Sequence, residues 1–185
     1  MRGAMVKVGV LGLAGLAAAT VCWAGDFAKW DPAQLVSETA CKACHTPAKI
    51  GNQYGAWKDS AHARAFETLK SDAAKEVAKK AGVDDPTTSG KCLKCHSTAY
   101  GFTEASVTKD IPVESGVACQ TCHGPAKAWK AKHNKDAAAA KADGMIVPTA
   151  ENTCLRCHNK DNPTDKGDFD FAKAAEKIKH PKAAK

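Results

Sequence analysis

Hydrophobic positions along this chain recur in short helical registers, preceded by one continuous apolar run. The run extends from Val8 to Val21, follows Arg2 and Lys7, and leads into Cys22-Trp23-Ala24, with small residues at the −3 and −1 positions of a cleavage site. It is too short to span a bilayer. Residues 1–24 are therefore read as an export signal removed before Gly25, leaving 25–185 as one domain that is not inserted in a membrane. A lipid-modified Cys22 is the competing reading, and Ala19-Thr20-Val21 fits that context poorly. Ile50 to Tyr54 reads as a loop. A helix is expected from Asp59 or Ser60, either of which can cap it, through Lys70, with His62, Phe66 and Leu69 on one face. Ser71 to Ala81 predicts a second helix stopped at Gly82. Asp84 to Gly90 is a turn-rich linker, and Tyr100 to Ser115 is irregular with room for a short strand. An alanine- and lysine-rich helix is expected after Gly124-Pro125 up to Gly144. Phe169, Phe171, Ala175 and Ile178 predict a closing helix that delivers His180, with Pro181 as its stop. The pattern is mainly α, with little or no sheet.

Between these stretches one motif occurs four times: Cys41-Lys42-Ala43-Cys44-His45, Cys92-Leu93-Lys94-Cys95-His96, Cys119-Gln120-Thr121-Cys122-His123 and Cys154-Leu155-Arg156-Cys157-His158. Two thiols three positions apart sit on one side of a helical turn, where each can form a thioether with a porphyrin vinyl group. The histidine that follows is then held beneath the ring to ligate iron. Zinc also takes Cys-x-x-Cys, but it does not require a histidine directly after every second cysteine. Four covalently bound haem c groups are expected. The motifs begin 51, 27 and 35 residues apart, so the chain is not a tandem array of equal modules.

Composition agrees with this reading. Of nine cysteines, Cys22 falls in the export signal and the other eight fill the four motifs, so no disulfide is expected. Aromatic residues are only 6% of the chain, too few for an ordinary core. The porphyrins are expected to supply most of the apolar interior, and the haem-free chain to be largely unfolded. The formal charge of +7 falls with Arg2 and Lys7. Ionised propionates and ferric rings then bring the loaded protein to about +1 oxidised and about −3 reduced. Nothing here calls for nucleic acid. The basic stretches Lys127 to Lys135 and Lys177 to Lys185 are read as propionate partners or a solvated docking rim.

Four irons need eight axial donors, and the chain has seven histidines. His45, His96, His123 and His158 are proximal, leaving His62, His133 and His180 for the distal side. His133 lies too far along its own helix to cap the iron of His123. One haem therefore lacks a second histidine, and its sixth position falls to Met145, to a lysine or to an open site.

The stretch Trp57-Lys58-Asp59-Ser60-Ala61-His62-Ala63-Arg64-Ala65, the run Gly116-Val117-Ala118 through His123-Gly124-Pro125, and the Phe-x-Phe helix before His180 resemble the cytochrome c-554 family, whose namesake is a tetrahaem electron carrier of ammonia-oxidising bacteria. The resemblance implies a small multihaem cytochrome with helices wrapped around closely paired haems. It also implies a pairing of ligands: His133 over the haem of His45, His62 over that of His123, His180 over that of His158, and a five-coordinate haem at His96. Between His158 and Phe169 the chain looks shorter than the family pattern. The family's partner is a hydroxylamine-oxidising enzyme.

The expected function is electron relay in the periplasm between a donor and an acceptor redox protein. No nucleophile beside a base, no phosphate-binding glycine loop and no second metal motif is present, so a carrier is expected rather than an enzyme. Two alternatives stay open. One is a small nitrogen-oxide reductase at the His96 haem, and the other is a subunit of a haem polymer or redox complex, which makes an oligomer possible.

Overall fold

The computed structural model describes residues 31–102, 104–164 and 167–180. The export signal with Cys22, and Pro181 as a helix stop, lie outside the described residues. Within them the chain is a succession of short helices joined by turns. The first three motifs form α1 (Thr39–His45), α5 (Gly90–His96) and α7 (Cys119–His123), and the fourth is a tighter 3-10 turn, Cys154–Arg156. Between them run α2 (Gln53–Lys58), α3 (Ala65–Thr68), α4 (Asp72–Lys80), α6 (Thr98–Phe102), α8 (Ala137–Ala142) and the closing α9 (Phe171–Ile178). No strand occurs among the described residues; Thr108 and Ile111 make one isolated bridge in the irregular stretch.

Cap chemistry sets these boundaries. Ser71 Oγ accepts from Ala74 N at 3.2 Å, Asp72 lies in the first turn of α4, and Lys79 and Lys80 lie in the last, each on the favourable side of the helix dipole. Gly82 follows with φ +66°, as the sequence led us to expect. Asp170 caps α9 through Lys173 N at 3.1 Å.

Three expectations change. The helix foreseen from residue 59 or 60 through Lys70 is broken, because α2 ends at Lys58 and His62 lies in the turn before α3. Helix α2 starts early, inside the foreseen loop, with Asn52 Oδ1 accepting from Gly55 N at 3.2 Å. The alanine- and lysine-rich helix is interrupted as well. Residues 127–135 form successive turns, and Asp136, extended at φ −140°, caps a fresh start through Ala139 N at 2.9 Å.

Buried apolar residues form three small clusters among the described residues rather than one core: Leu35, Ala99 and Ile111; Phe66, Leu69 and Leu93; and Ala126, Trp129 and Ala140. Polar side chains tie these islands together. Thr98, 2% exposed, places its hydroxyl 2.9 Å from the Gly116 carbonyl, 2.9 Å from Thr121 Oγ1 and 2.6 Å from Ala118 N, linking the second motif to the third. Gln120 accepts from Val36 N and Ala126 N, both at 3.0 Å, and donates to Val36 O at 2.5 Å. Two residues inside the third motif thus anchor distant segments.

Candidate haem-binding site

The distal histidines are positioned by backbone crossings. At Gly116 (φ +65°) a Cβ would meet the Ala63 carbonyl at 2.7 Å and the His62 carbonyl at 2.9 Å. Only glycine lets the chain pass this close. Val117 N then donates to His62 O at 3.0 Å, and Trp57 Nε1 donates to Val117 O at 2.8 Å, fixing the turn that carries His62. The His-Gly-Pro sequence has a similar cause. At Gly124 (φ +80°) a Cβ would meet Gly144 O at 2.6 Å, and Ile146 N donates to His123 O at 2.9 Å just beyond.

Six of the seven histidines meet in three facing pairs. The ring centres of His45 and His133 are 5.7 Å apart, those of His62 and His158 are 6.2 Å apart, and those of His123 and His180 are 5.9 Å apart. Metal–imidazole bonds of about 2.0–2.1 Å, with the distance from nitrogen to ring centre added, put two trans imidazoles on one iron roughly 6 Å apart. The gaps fit an iron each. The His45–His133 pairing agrees with the one the resemblance implied; the other two are exchanged. The backbone of His62 docks just before the third motif, but its ring faces His158. The free side of His123 is met by His180 from the end of α9.

Hydrogen bonds settle which nitrogen faces the gap. Nδ1 of His45 lies 3.1 Å from Gln53 Oε1, that of His96 2.6 Å from Ala65 O, that of His123 3.2 Å from Ile146 O, and that of His133 2.7 Å from Lys130 O. All four oxygens accept, so Nδ1 carries the proton and Nε2 is left as the donor to a metal. Burial lowers the pKa of His62 and of His123, which favours the neutral, ligating form. Two buried groups have no partner among the described residues, Trp129 Nε1 and His180 Nδ1. Phe169 stacks on the His158 ring at 4.5 Å and 12°.

His96 has no facing histidine among the described residues. It lines a cavity of about 800 Å³ with Cys92, Cys95, Cys157 and an apolar wall that includes Val77 and Ala78 of α4. Met145 packs instead on the Ala126–Trp129–Ala140 cluster beside the third motif. Lys91 and Lys94 line the cavity, with the Lys91 ammonium turned to Ala81 O at 3.4 Å.

The motifs pair in an order that is not their order in the chain. Cys41 is hydrogen-bonded to Cys119, which lowers the Cys41 pKa and raises that of Cys119. Cys95 is hydrogen-bonded to Cys157, which holds Cys95 down at about 7 and pushes Cys157 up. Cys122, raised to about 11 by burial, feels the charge of Cys154. The first motif is therefore joined to the third and the second to the fourth, and the charge of the fourth reaches the third. Arg156 sits at the inner junction. Its guanidinium donates to Gly101 O, burial lowers its pKa, and Cys157, Cys95 and Cys122 all act on it.

Sequence reasoning missed Gln53, Gly116, Arg156 and Phe169 in these positions. For Gln120 and Thr121 a signal existed, because the other three motifs each carry a lysine or arginine between their cysteines and this one does not.

Among the described residues no group of three or more His, Cys, Asp or Glu side chains comes together as a metal site of its own. Paired histidines beside paired cysteines, on short helices around apolar gaps, define a c-type cytochrome. A model of the family described as cytochrome c554 and c-prime matches residues 40–124. Cytochrome c-554 of Nitrosomonas europaea is 32% identical over 133 residues, 64% of this chain and 54% of that protein. The structure of reduced cytochrome c554 from Nitrosomonas europaea is similar at a TM-score of 0.54 and 25% identity, over 77% of this chain and 81% of that one. Over these stretches the chain is similar to the cytochrome c-554 family. It spans about half the length of the curated relative. No helix among the described residues is long and apolar enough to cross a membrane.

Proposed function

We propose that the protein is an exported tetrahaem cytochrome that relays electrons between redox partners in the periplasm. Its haems are carried on Cys41 and Cys44, Cys92 and Cys95, Cys119 and Cys122, and Cys154 and Cys157, with His45, His96, His123 and His158 as proximal ligands. His133, His180 and His62 serve as distal ligands to the irons of His45, His123 and His158. The observation that carries this reading is the pairing of motifs, Cys41 hydrogen-bonded to Cys119 and Cys95 to Cys157, with Cys122 near enough to Cys154 to feel its charge. Rings attached at those cysteines form one path from end to end. Histidine ligation and burial then set the potentials. The absence of any assembled acid–base constellation in the sequence favours a carrier over an enzyme.

The test is the mass of the secreted protein together with a spectroelectrochemical titration. Four macrocycles on a chain starting at Gly25, and four one-electron steps, are expected. Fewer than four added macrocycles would reject the reading.

The His96 cavity supports a second activity, small nitrogen-oxide chemistry at a five-coordinate iron, because no second histidine faces His96 among the described residues. Nitric oxide added to the reduced protein should then perturb one haem spectrum in four.

A further inference from the structure

We propose that the exposed lysines of the 127–135 turns form the docking face for an acidic one-electron redox protein, beside the first haem. The proposal rests on the carrier reading above and names the partner of one end of that path. Lys127, Lys130 and Lys135 are exposed, and the turns they ride on carry His133, which faces His45 at 5.7 Å. Lys130 is fastened to that ligand, its carbonyl accepting from His133 Nδ1 at 2.7 Å, and its charge reaches Cys41 of the first motif. Lys127 is held from the other side, its backbone N donating to Gln34 O at 2.9 Å.

Charge pairing separates this face from several lysines on or beside the longer helices. On α3, α4 and α9, Lys70, Lys75, Lys173 and Lys179 each meet an acid three residues away: Glu67, Asp72, Asp170 and Glu176. In the segment 127–143 the acids are already engaged, Asp143 by Lys132 and Asp136 as the cap of α8. Lys127, Lys130 and Lys135 have no ion-pair partner among the described residues. An uncompensated cationic rim beside the terminal haem steers an anionic partner to the point of shortest electron transfer.

The test uses the haem-loaded protein and reduced flavodoxin, an acidic one-electron donor, in stopped-flow mixing. Ionic strength is varied from about 0.01 M to 1 M, over which the Debye length falls from about 30 Å to 3 Å. The wild-type second-order rate should fall steeply with salt. The triple variant K127E/K130E/K135E should lose at least about tenfold of the low-salt rate and most of the salt slope. The triple variant K75E/K79E/K80E on α4 makes the same change in net charge and should stay within about twofold of wild type. Equal slowing in both variants would mean net charge alone and would overturn the docking face. So would a 127–135 variant that shifts a haem potential while keeping the salt slope, because the lysines would then serve propionates. Reduction of all haems by dithionite in each variant confirms the loaded fold. If wild type takes no electrons from flavodoxin at any salt, the carrier reading itself fails.

Discussion

The rings of His62 and His158 face each other across 6.2 Å at an angle of 74°, whereas those of His45 and His133, 5.7 Å apart, lie within 26° of parallel. Near-parallel imidazoles overlap the same iron d orbital and split the pair strongly; crossed rings act on both and split them less. Electron paramagnetic resonance of the oxidised protein should therefore resolve distinct low-spin irons, the His62–His158 site having the largest g value. The His96 iron should add a high-spin signal. Four superimposable low-spin signals would refute the assignment of pairs.

Gly116 and Gly82 have nearly the same backbone angle, φ +65° and +66°, but only Gly116 packs against a neighbouring carbonyl. Gly82→Ala should cost about 1–2 kcal/mol, the strain of a left-handed residue. Gly116→Ala adds a Cβ at 2.7 Å from Ala63 O, so it should cost more and displace the turn bearing His62. Thermal melting orders the two variants, and loss of one low-spin signal in Gly116→Ala alone reports on the ligand.

Gln53 is the one side-chain acceptor among the four Nδ1 contacts of the histidines; the other three are backbone carbonyls. Accepting a proton bond makes the imidazole of His45 more basic and favours ferric iron. Gln53→Leu should raise the potential of one haem, with a tenfold change in ferric preference equal to about 59 mV for one electron. A titration with all four potentials unchanged would remove Gln53 from that role.

Burial lowers the pKa of His62 below 6.5, its ordinary value. Below pH 6.5 the unfolded chain binds a proton there that the folded chain does not, so stability is full above this pH and declines as pH falls toward the folded pKa. His123 acts in the same direction. Melting temperature measured from pH 8 down to about pH 4 should fall on the acid side, and His62→Met should flatten that fall.

Removing the haems should unfold most of the chain. Three clusters of three buried apolar residues among the described residues are too little surface to hold the chain against its conformational entropy. Far-ultraviolet circular dichroism of chain expressed without haem attachment should show little helix, and a helical apo-protein would contradict this.

Much of this was legible in the residues. The four Cys-x-x-Cys-His motifs carry their chemistry locally, and Ser71 with Gly82 marks both ends of α4. The resemblance implied His133 opposite His45, and their rings stand 5.7 Å apart. What stayed hidden depends on chain crossings. Nothing near Ser60 announces that the helix breaks before His62, because the break serves the approach of Gly116 from more than fifty residues away. The ring of His62 belongs with His158 although its backbone belongs with Val117, and sequence spacing cannot separate the two. The interruption before Ala137 was readable in principle, since Asp136 is a strong cap, but the alanine and lysine content masks it.

Because the first motif closes on the third and the second on the fourth, no N-terminal portion of this chain can finish its own interior. A growing polypeptide offers its second pair of cysteines long before residues 154–164, which supply the far wall of that site, have been made. That site is complete only once the fourth motif is in place. A frameshift beyond residue 150 would spoil a site laid down sixty residues earlier.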